Sequence, residues 1–198
     1  MKLQYSILAA STIVMAMPCM AAVSVFGEYH LGEAGTIVSD LPQDSIGTNH
    51  FTGQFGTVVT GSTSPAAPGS TDYLSTSTNG FFNASAVGLT GDWAIGIYAR
   101  QSSITPNQTL FMTDGAIGGP QLKLEMGTNG WASSVNNVAW IGNDQGTTGS
   151  AVANTWVHLA LISRAGSVGF YIDGVDQGAR FDNTGGTIAL GDLHIGTD

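Results

Sequence analysis

The sequence predicts an almost entirely β domain, and three observations carry that prediction. No stretch after the N-terminal segment holds apolar residues at i, i+3, i+4 and i+7 for three turns, so no amphipathic helix is expected. Short runs of β-branched and aromatic residues recur between glycine and asparagine clusters, in a chain with 28 glycines and only 10% charged residues. The third observation is the stretch TWVHLALISRAGSVGFYIDGVDQG, Thr155 to Gly178. Here Trp156, His158, Ala160 and Ile162 alternate with Val157, Leu159 and Leu161, and Val168, Phe170 and Ile172 alternate with Gly169, Tyr171 and Asp173. Two long strands therefore meet across Arg164-Ala165-Gly166-Ser167. Asp173-Gly174 then supplies the positive φ angles of a two-residue turn, so a third strand folds back and completes a meander.

Taken in order, the first strand is expected at Ser24 to Leu31, followed by a polar loop with Leu41-Pro42 and a turn at Asp44-Ser45. Thr57 to Thr60 and Asp72 to Thr76 are weaker strand candidates, and GSTSPAAPGS between them reads as a long surface loop of one domain. In DWAIGIYARQ, Trp93, Ile95, Ile97 and Ala99 share one face, and Ala94, Gly96, Tyr98 and Arg100 the other; the apolar middle of both faces predicts a central strand. In QLKLEM, Leu122, Leu124 and Met126 alternate with Lys123 and Glu125, which predicts one wet face. GTNG turns the chain, Trp131 and Val138 to Ile141 outline further short strands around Asn136-Asn137, and Thr187 to Leu190 and Leu193 to Ile195 close the series.

Residues 1–22 read as an export signal. Lys2 gives a minimal positive start, and Ile7 to Met17 is apolar but shorter than the roughly 20 residues that span a bilayer. Pro18 ends any helix there, and Ala21 and Ala22 suit signal peptidase. Cleavage removes Cys19, the only cysteine, and leaves residues 23–198 as one domain large enough to fold without staples. The expected location is secreted or cell-surface. Fourteen acidic residues then face Arg100, Lys123, Arg164 and Arg180. Such a surface repels nucleic acid and anionic membranes, and no membrane insertion is expected.

The order W-x-H-x-A, turn, F-Y-I-D-G, short strand, L-H-I-G resembles the laminin-G-like jelly-roll domain of the concanavalin A-like lectin and glucanase superfamily. The matching residues are Trp156, His158, Tyr171, Asp173, Gly174 and Leu193 to Gly196, and DWAIGIYAR resembles an earlier family strand with Tyr98 where a tryptophan is usual. The resemblance covers roughly Ser24 to the end. It implies an antiparallel two-sheet sandwich of about a dozen strands, one sheet concave. Relatives usually continue past L-H-I-G into a strand beside the first one. The domain is therefore expected to be C-terminally incomplete or to lack its final strand, leaving Ser24 to Leu31 an exposed edge open to self-association.

This fold hosts lectins, glycosidases, adhesion modules and passive structural domains, so function has to come from residues. Glycosidases of the superfamily carry Glu-x-Asp-x-x-Glu on one strand, with nucleophile and acid about 5 Å apart. Glu28, Glu33 and Glu125 are the only glutamates and do not form that pattern. No catalytic residue is assigned, and no enzyme activity is expected. His30, His50, His158 and His194 are isolated and read as structural rather than metal-binding. Calcium is a weaker candidate through Asp114, Asp144, Asp176, Asp182 and Asp192, all in predicted turns, where acidic residues also bond their own backbone. Sugar binding needs aromatic faces beside fixed hydrogen-bonding groups. Trp131 and Trp140, with Asn136, Asn143 and Asp144, form the candidate platform, with inward packing of both tryptophans as the alternative, whereas Trp93 and Trp156 open apolar strands and read as core. The expected function is a secreted, non-catalytic module that binds an extracellular polysaccharide or glycoconjugate, or serves adhesion. A structural surface domain without a small ligand is the alternative, and a glycoside hydrolase the least favoured.

Overall fold

The computed structural model describes residues 25–31, 37–38, 41–61, 67, 73–76, 80–84, 91–103, 108–114, 122–126, 130–135, 139–142, 151–182 and 192–196. The strands are β1 (Ile37–Val38), β2 (Leu41–Pro42), β3 (Gly53–Phe55), β4 (Val58–Gly61), β5 (Tyr73–Thr76), β6 (Phe81–Ala84), β7 (Trp93–Ala99) and β8 (Gln108–Asp114). They continue as β9 (Leu122–Met126), β10 (Trp131–Val135), β11 (Ala139–Gly142), β12 (Val157–Arg164), β13 (Ser167–Ile172), β14 (Val175–Asp182) and β15 (Asp192–Gly196). Among the described residues there is no helix. A seven-stranded sheet, β11-β10-β9-β8-β15-β6-β3, faces a four-stranded one, β14-β13-β12-β7, and every described pairing is antiparallel. β1-β2 and β4-β5 form separate two-stranded sheets.

One core joins the two main sheets, because each strand has the period-2 alternation that puts apolar side chains on a single face. The four-stranded sheet contributes Trp93, Ala99, Val157, Leu159, Leu161, Val168, Phe170, Ile172 and Phe181. The seven-stranded sheet contributes Phe82, Ala84, Phe111, Leu122, Leu124, Met126, Trp131 and Leu193, and Phe51 closes one side. The expected meander is present: β12 pairs with β13 from Leu159↔Ile172 to Arg164↔Ser167, and β13 pairs with β14. Its turns use Ala165 (φ 50°) with Gly166 (φ 76°), and Asp173 (φ 49°) with Gly174 (φ 78°).

Asp173 does more than turn the chain. Its backbone N–H donates to His158 O at 2.8 Å, and its carboxylate Oδ1 accepts the His158 backbone N–H at 2.8 Å. The side chain thus replaces the missing ladder acceptor, which gives the Trp-x-His and Tyr-x-Asp-Gly spacing a structural reason. Asp173→Ala should cost about 1–3 kcal/mol, because a charged acceptor is lost from a backbone donor. Asp173→Asn keeps an acceptor and should cost much less. Urea unfolding of the two variants, with equal losses, would count against this account.

Three expectations need correction. Among the described residues DWAIGIYAR is an edge strand of its sheet, not a central one: Ala94, Gly96 and Tyr98 face solvent, and their small or amphipathic side chains tolerate that. The face of β9 expected to be wet is closed, with Glu125 buried and Lys123 half-buried, because its outward neighbours Thr109, Met112, Ala132 and Ser134 are buried too. Residues 25–30 do not form a strand. Their hydrogen bonds go to a loop instead: Asp44 Oδ1 accepts Glu28 N–H at 3.1 Å, and Ser45 N–H donates to Glu28 O at 2.8 Å. The edge of the large sheet on that side is β3, so the expected free edge at Ser24 to Leu31 is not formed by residues 25–30.

The weaker candidates around GSTSPAAPGS are real strands, β4 and β5, paired with each other across that segment. Leu41-Pro42, read as loop, is the short strand β2. Phe81–Ala84 and Gln108–Asp114 were not recognised from sequence; β15 inserts between them, so their pairing joins segments far apart in the chain. The Thr187 to Leu190 segment lies outside the described residues.

Candidate functional site

Of the residues proposed from sequence, the structure describes the side chain of Trp131 and the strand position of Trp140. Trp131 is 2% exposed and belongs to the core, facing Met126 across β10-β9, so its ring has no free face for a sugar. The physical reason is parity: a residue beside Met126 on the inward row must join the inter-sheet packing. Trp140 lies in β11, opposite Ser134 in the ladder. Asn136, Asn143 and Asp144 lie outside the described residues. Trp156, read as core, is half-buried and outside the core cluster.

The aspartates considered for calcium sit in strands more than in turns. Asp176 and Asp182 are in β14, and Asp114 and Asp192 are Cα partners across β8-β15. Among the described residues, no group of three or more His, Cys, Asp or Glu side chains is placed to hold a metal ion. The histidines have structural surroundings. His30 contacts Glu28 at 3.0 Å, His50 Nδ1 accepts Asp44 N–H at 3.0 Å, and His194 stacks on Phe81 with centroids 5.1 Å apart. His158 lies against Tyr98, with ring centroids 4.9 Å apart.

The outer face of the four-stranded sheet has the better-formed surface. One row across it runs Gly96, Ala160, Tyr171 and Asp176; the next runs Ala94, Ile162, Gly169 and Arg180. A cavity of about 340 Å³ opens there, lined by Ile162, Arg164, Ala165, Ser167, Gly169, Tyr171 and Arg180. Its walls depend on an irregularity in β14. Between Gly169 and Tyr171, two residues of β13, the partner moves from Arg180 to Asp176, four residues of β14. Gly178, at φ 89°, takes the conformation this bulge requires.

The bulge lets Asp176 and Arg180 clasp each other. Arg180 Nη1 donates to Asp176 Oδ1 at 2.8 Å, Nη2 donates to Oδ2, and Gly178 N–H donates to Oδ1 at 2.8 Å. These bonds, the arginine first and the Gly178 amide second, hold the Asp176 carboxyl at about 2. The fixed guanidinium lies over the Tyr171 ring, 5.8 Å from its centroid. A side chain at Gly169 would put its Cβ 3.0 Å from Arg180 Nε, so glycine is what lets the arginine lie along the sheet. The groove therefore offers an aromatic ring, an oriented Arg-Asp pair and a partly apolar wall. Sequence reasoning missed it, although Gly178 between Asp176 and Arg180 inside a strand pattern is a signal for a bulge.

Two antiparallel sheets packed over one core define a β-sandwich. The family model of the concanavalin A-like lectin/glucanases superfamily matches residues 68–198, and the chain belongs to that superfamily. A solved glycosyl hydrolase family 16 protein from Mycobacterium smegmatis is similar at 16% identity, with a TM-score of 0.39, over 71% of this chain and 64% of that one. The chain thus spans less than two thirds of that hydrolase. No curated protein matches the sequence.

Proposed function

We propose that the chain is an exported, non-catalytic carbohydrate-binding or adhesion module whose ligand surface is the groove around Tyr171 and Arg180. The observation that carries this reading is the groove itself. Sugars are held by an aromatic ring against their C–H groups and by fixed donors and acceptors at its edge, and Tyr171 with the Arg180-Asp176 clasp provides both. Support for a non-catalytic role comes from the glutamates. Glu125 is 5% exposed within β9, and Glu28 is tied to His30 on the segment before the sheets. Export is supported by Ile7 to Met17 and the small residues Ala21 and Ala22. Among the described residues, no helix is long and apolar enough to cross a membrane.

A glycan array on the full chain, with and without calcium, tests the reading. Tyr171→Ala should weaken binding of any glycan found by about fivefold or more, for the roughly 1 kcal/mol of a lost ring contact, with the fold retained. Binding that ignores Tyr171 would move the ligand elsewhere. Silence across the array would favour a structural surface domain, and release of reducing sugar from β-glucans would overturn the non-catalytic assignment.

A further inference from the structure

We propose that the groove selects a sugar carrying a single carboxylate, a uronic acid or similar acidic residue set among neutral sugars. This rests on the carbohydrate-binding reading above and narrows it to a ligand class. The whole chain is acidic, with fourteen acidic residues against five basic ones. Yet the charged residues in the groove lining are two arginines, Arg164 and Arg180, with Asp176 held against the second. Arg180 is neutralised by Asp176, so Arg164 is the lining charge without an ion pair among the described residues.

The two arginines differ in what they have left to give. Arg180 is engaged by Asp176 through both terminal nitrogens and donates again to Gly178 O at 3.1 Å. It shapes the wall and braces Tyr171. Arg164 is exposed at the end of β12 and has no ion pair among the described residues. Its guanidinium can present two parallel N–H groups to a carboxylate, the geometry in which arginine binds that group best. Ser167, the Cα partner of Arg164, adds a hydroxyl to the same lining. The nearest acids by register keep their charge but form no ion pair with Arg164. Asp92 Oδ1 accepts the Ala165 N–H at 2.9 Å, and Asp182 pairs with Ser167 from the far strand, about 10 Å from Arg164 by strand spacing. A sugar whose C–H face lies on Ile162, Ala165 and Tyr171 would bring its carboxylate to Arg164.

Net charge sets the upper limit on that ligand. At physiological ionic strength charges are felt over about 8 Å, so one carboxylate in the groove meets the arginines, whereas a dense polyuronate would also meet the acidic remainder of the surface. The preferred ligand is therefore sparsely charged.

The test is isothermal titration of the full chain with matched oligosaccharide pairs of xylan, glucan and galactan type, each with and without one uronic acid branch. The acidic member of at least one pair should bind about tenfold more tightly than its neutral partner. Arg164→Gln should abolish that preference, leaving both members of a pair with equal affinity and the melting temperature unchanged, and Arg164→Lys should restore only part of it, since an ammonium cannot form the parallel fork. Equal binding within every pair, or a preference that survives Arg164→Gln, overturns this inference and leaves the carbohydrate reading standing. Failure of every oligosaccharide here and on the array removes both.

Discussion

Trp131→Ala is expected to destabilise the fold by about 3–5 kcal/mol, the range for removing a large buried aromatic side chain. The ring is 2% exposed, in contact with the core that Leu122, Leu124 and Met126 build from the neighbouring strand. Each of those three is fully buried, and none can follow the ring into the space it vacates without opening a gap of its own. A chain of this size does not have many multiples of that energy in reserve, so the variant should melt far below the parent or fail to fold. Circular dichroism melts settle the matter. A variant that melted with the parent but lost glycan binding would restore Trp131 to a ligand surface.

The second large effect is centred on Asp44, 5% exposed in the loop that holds residues 25–30. Its carboxylate accepts N–H groups from Glu28 at 3.1 Å, Ile46 at 3.1 Å and Asn49 at 3.2 Å. Burial alone would raise its pKa, but the backbone donors of Glu28, Ile46, Asn49 and Gly47 outweigh it and hold the carboxyl below the usual range. Tyr29, whose hydroxyl donates to Asn49 O, is pushed the other way, to about 12, by burial and by the Asp44 charge. Asp44→Ala strands these donors and should cost about 3 kcal/mol or more; Asp44→Asn retains one acceptor and should cost about 2.

The pH dependence has a definite sign. A carboxylate whose pKa is lower folded than unfolded adds stability that is complete above the unfolded value, about 3.9, and is lost as pH falls through the folded one. The gap between parent and Asp44→Asn in urea unfolding should therefore be widest near neutral pH and should shrink in acid. A gap that grew on acidification would mean that the carboxylate is not the charged acceptor described here. Segment 25–30 should also detach first in acid, seen as faster amide exchange at Glu28, whose N–H loses its acceptor.

Much of this fold was legible because its strongest signals are local. The alternation from Val157 to Ile172 and the Asp173-Gly174 turn specify a meander by short-range geometry alone, and the same alternation marks β7 and β9. Residues 25–30 carry the strand formers Val25, Phe26 and Tyr29, yet they form no strand, since propensity cannot say whether a neighbouring strand is there to pair. β6 and β8 were missed for the converse reason. Their partner, β15, comes from the end of the chain.

The site divides along the same line. Sequence alone determined that the domain is acidic, β-rich and without the paired-carboxylate motif of its hydrolytic relatives, because composition and spacing are properties of the chain in any conformation. It could not rank Trp131 against Tyr171, since both are aromatic residues in alternating strands and only the sandwich decides which face turns inward. Tertiary structure buried the first and left the second beside Arg180 on the outer face. Nor could sequence bring Arg164 and Arg180, sixteen positions apart, to one groove. That took a hairpin, a second turn and a bulge at Gly178, each of which sets the register of the next strand and so the side chains that share a face.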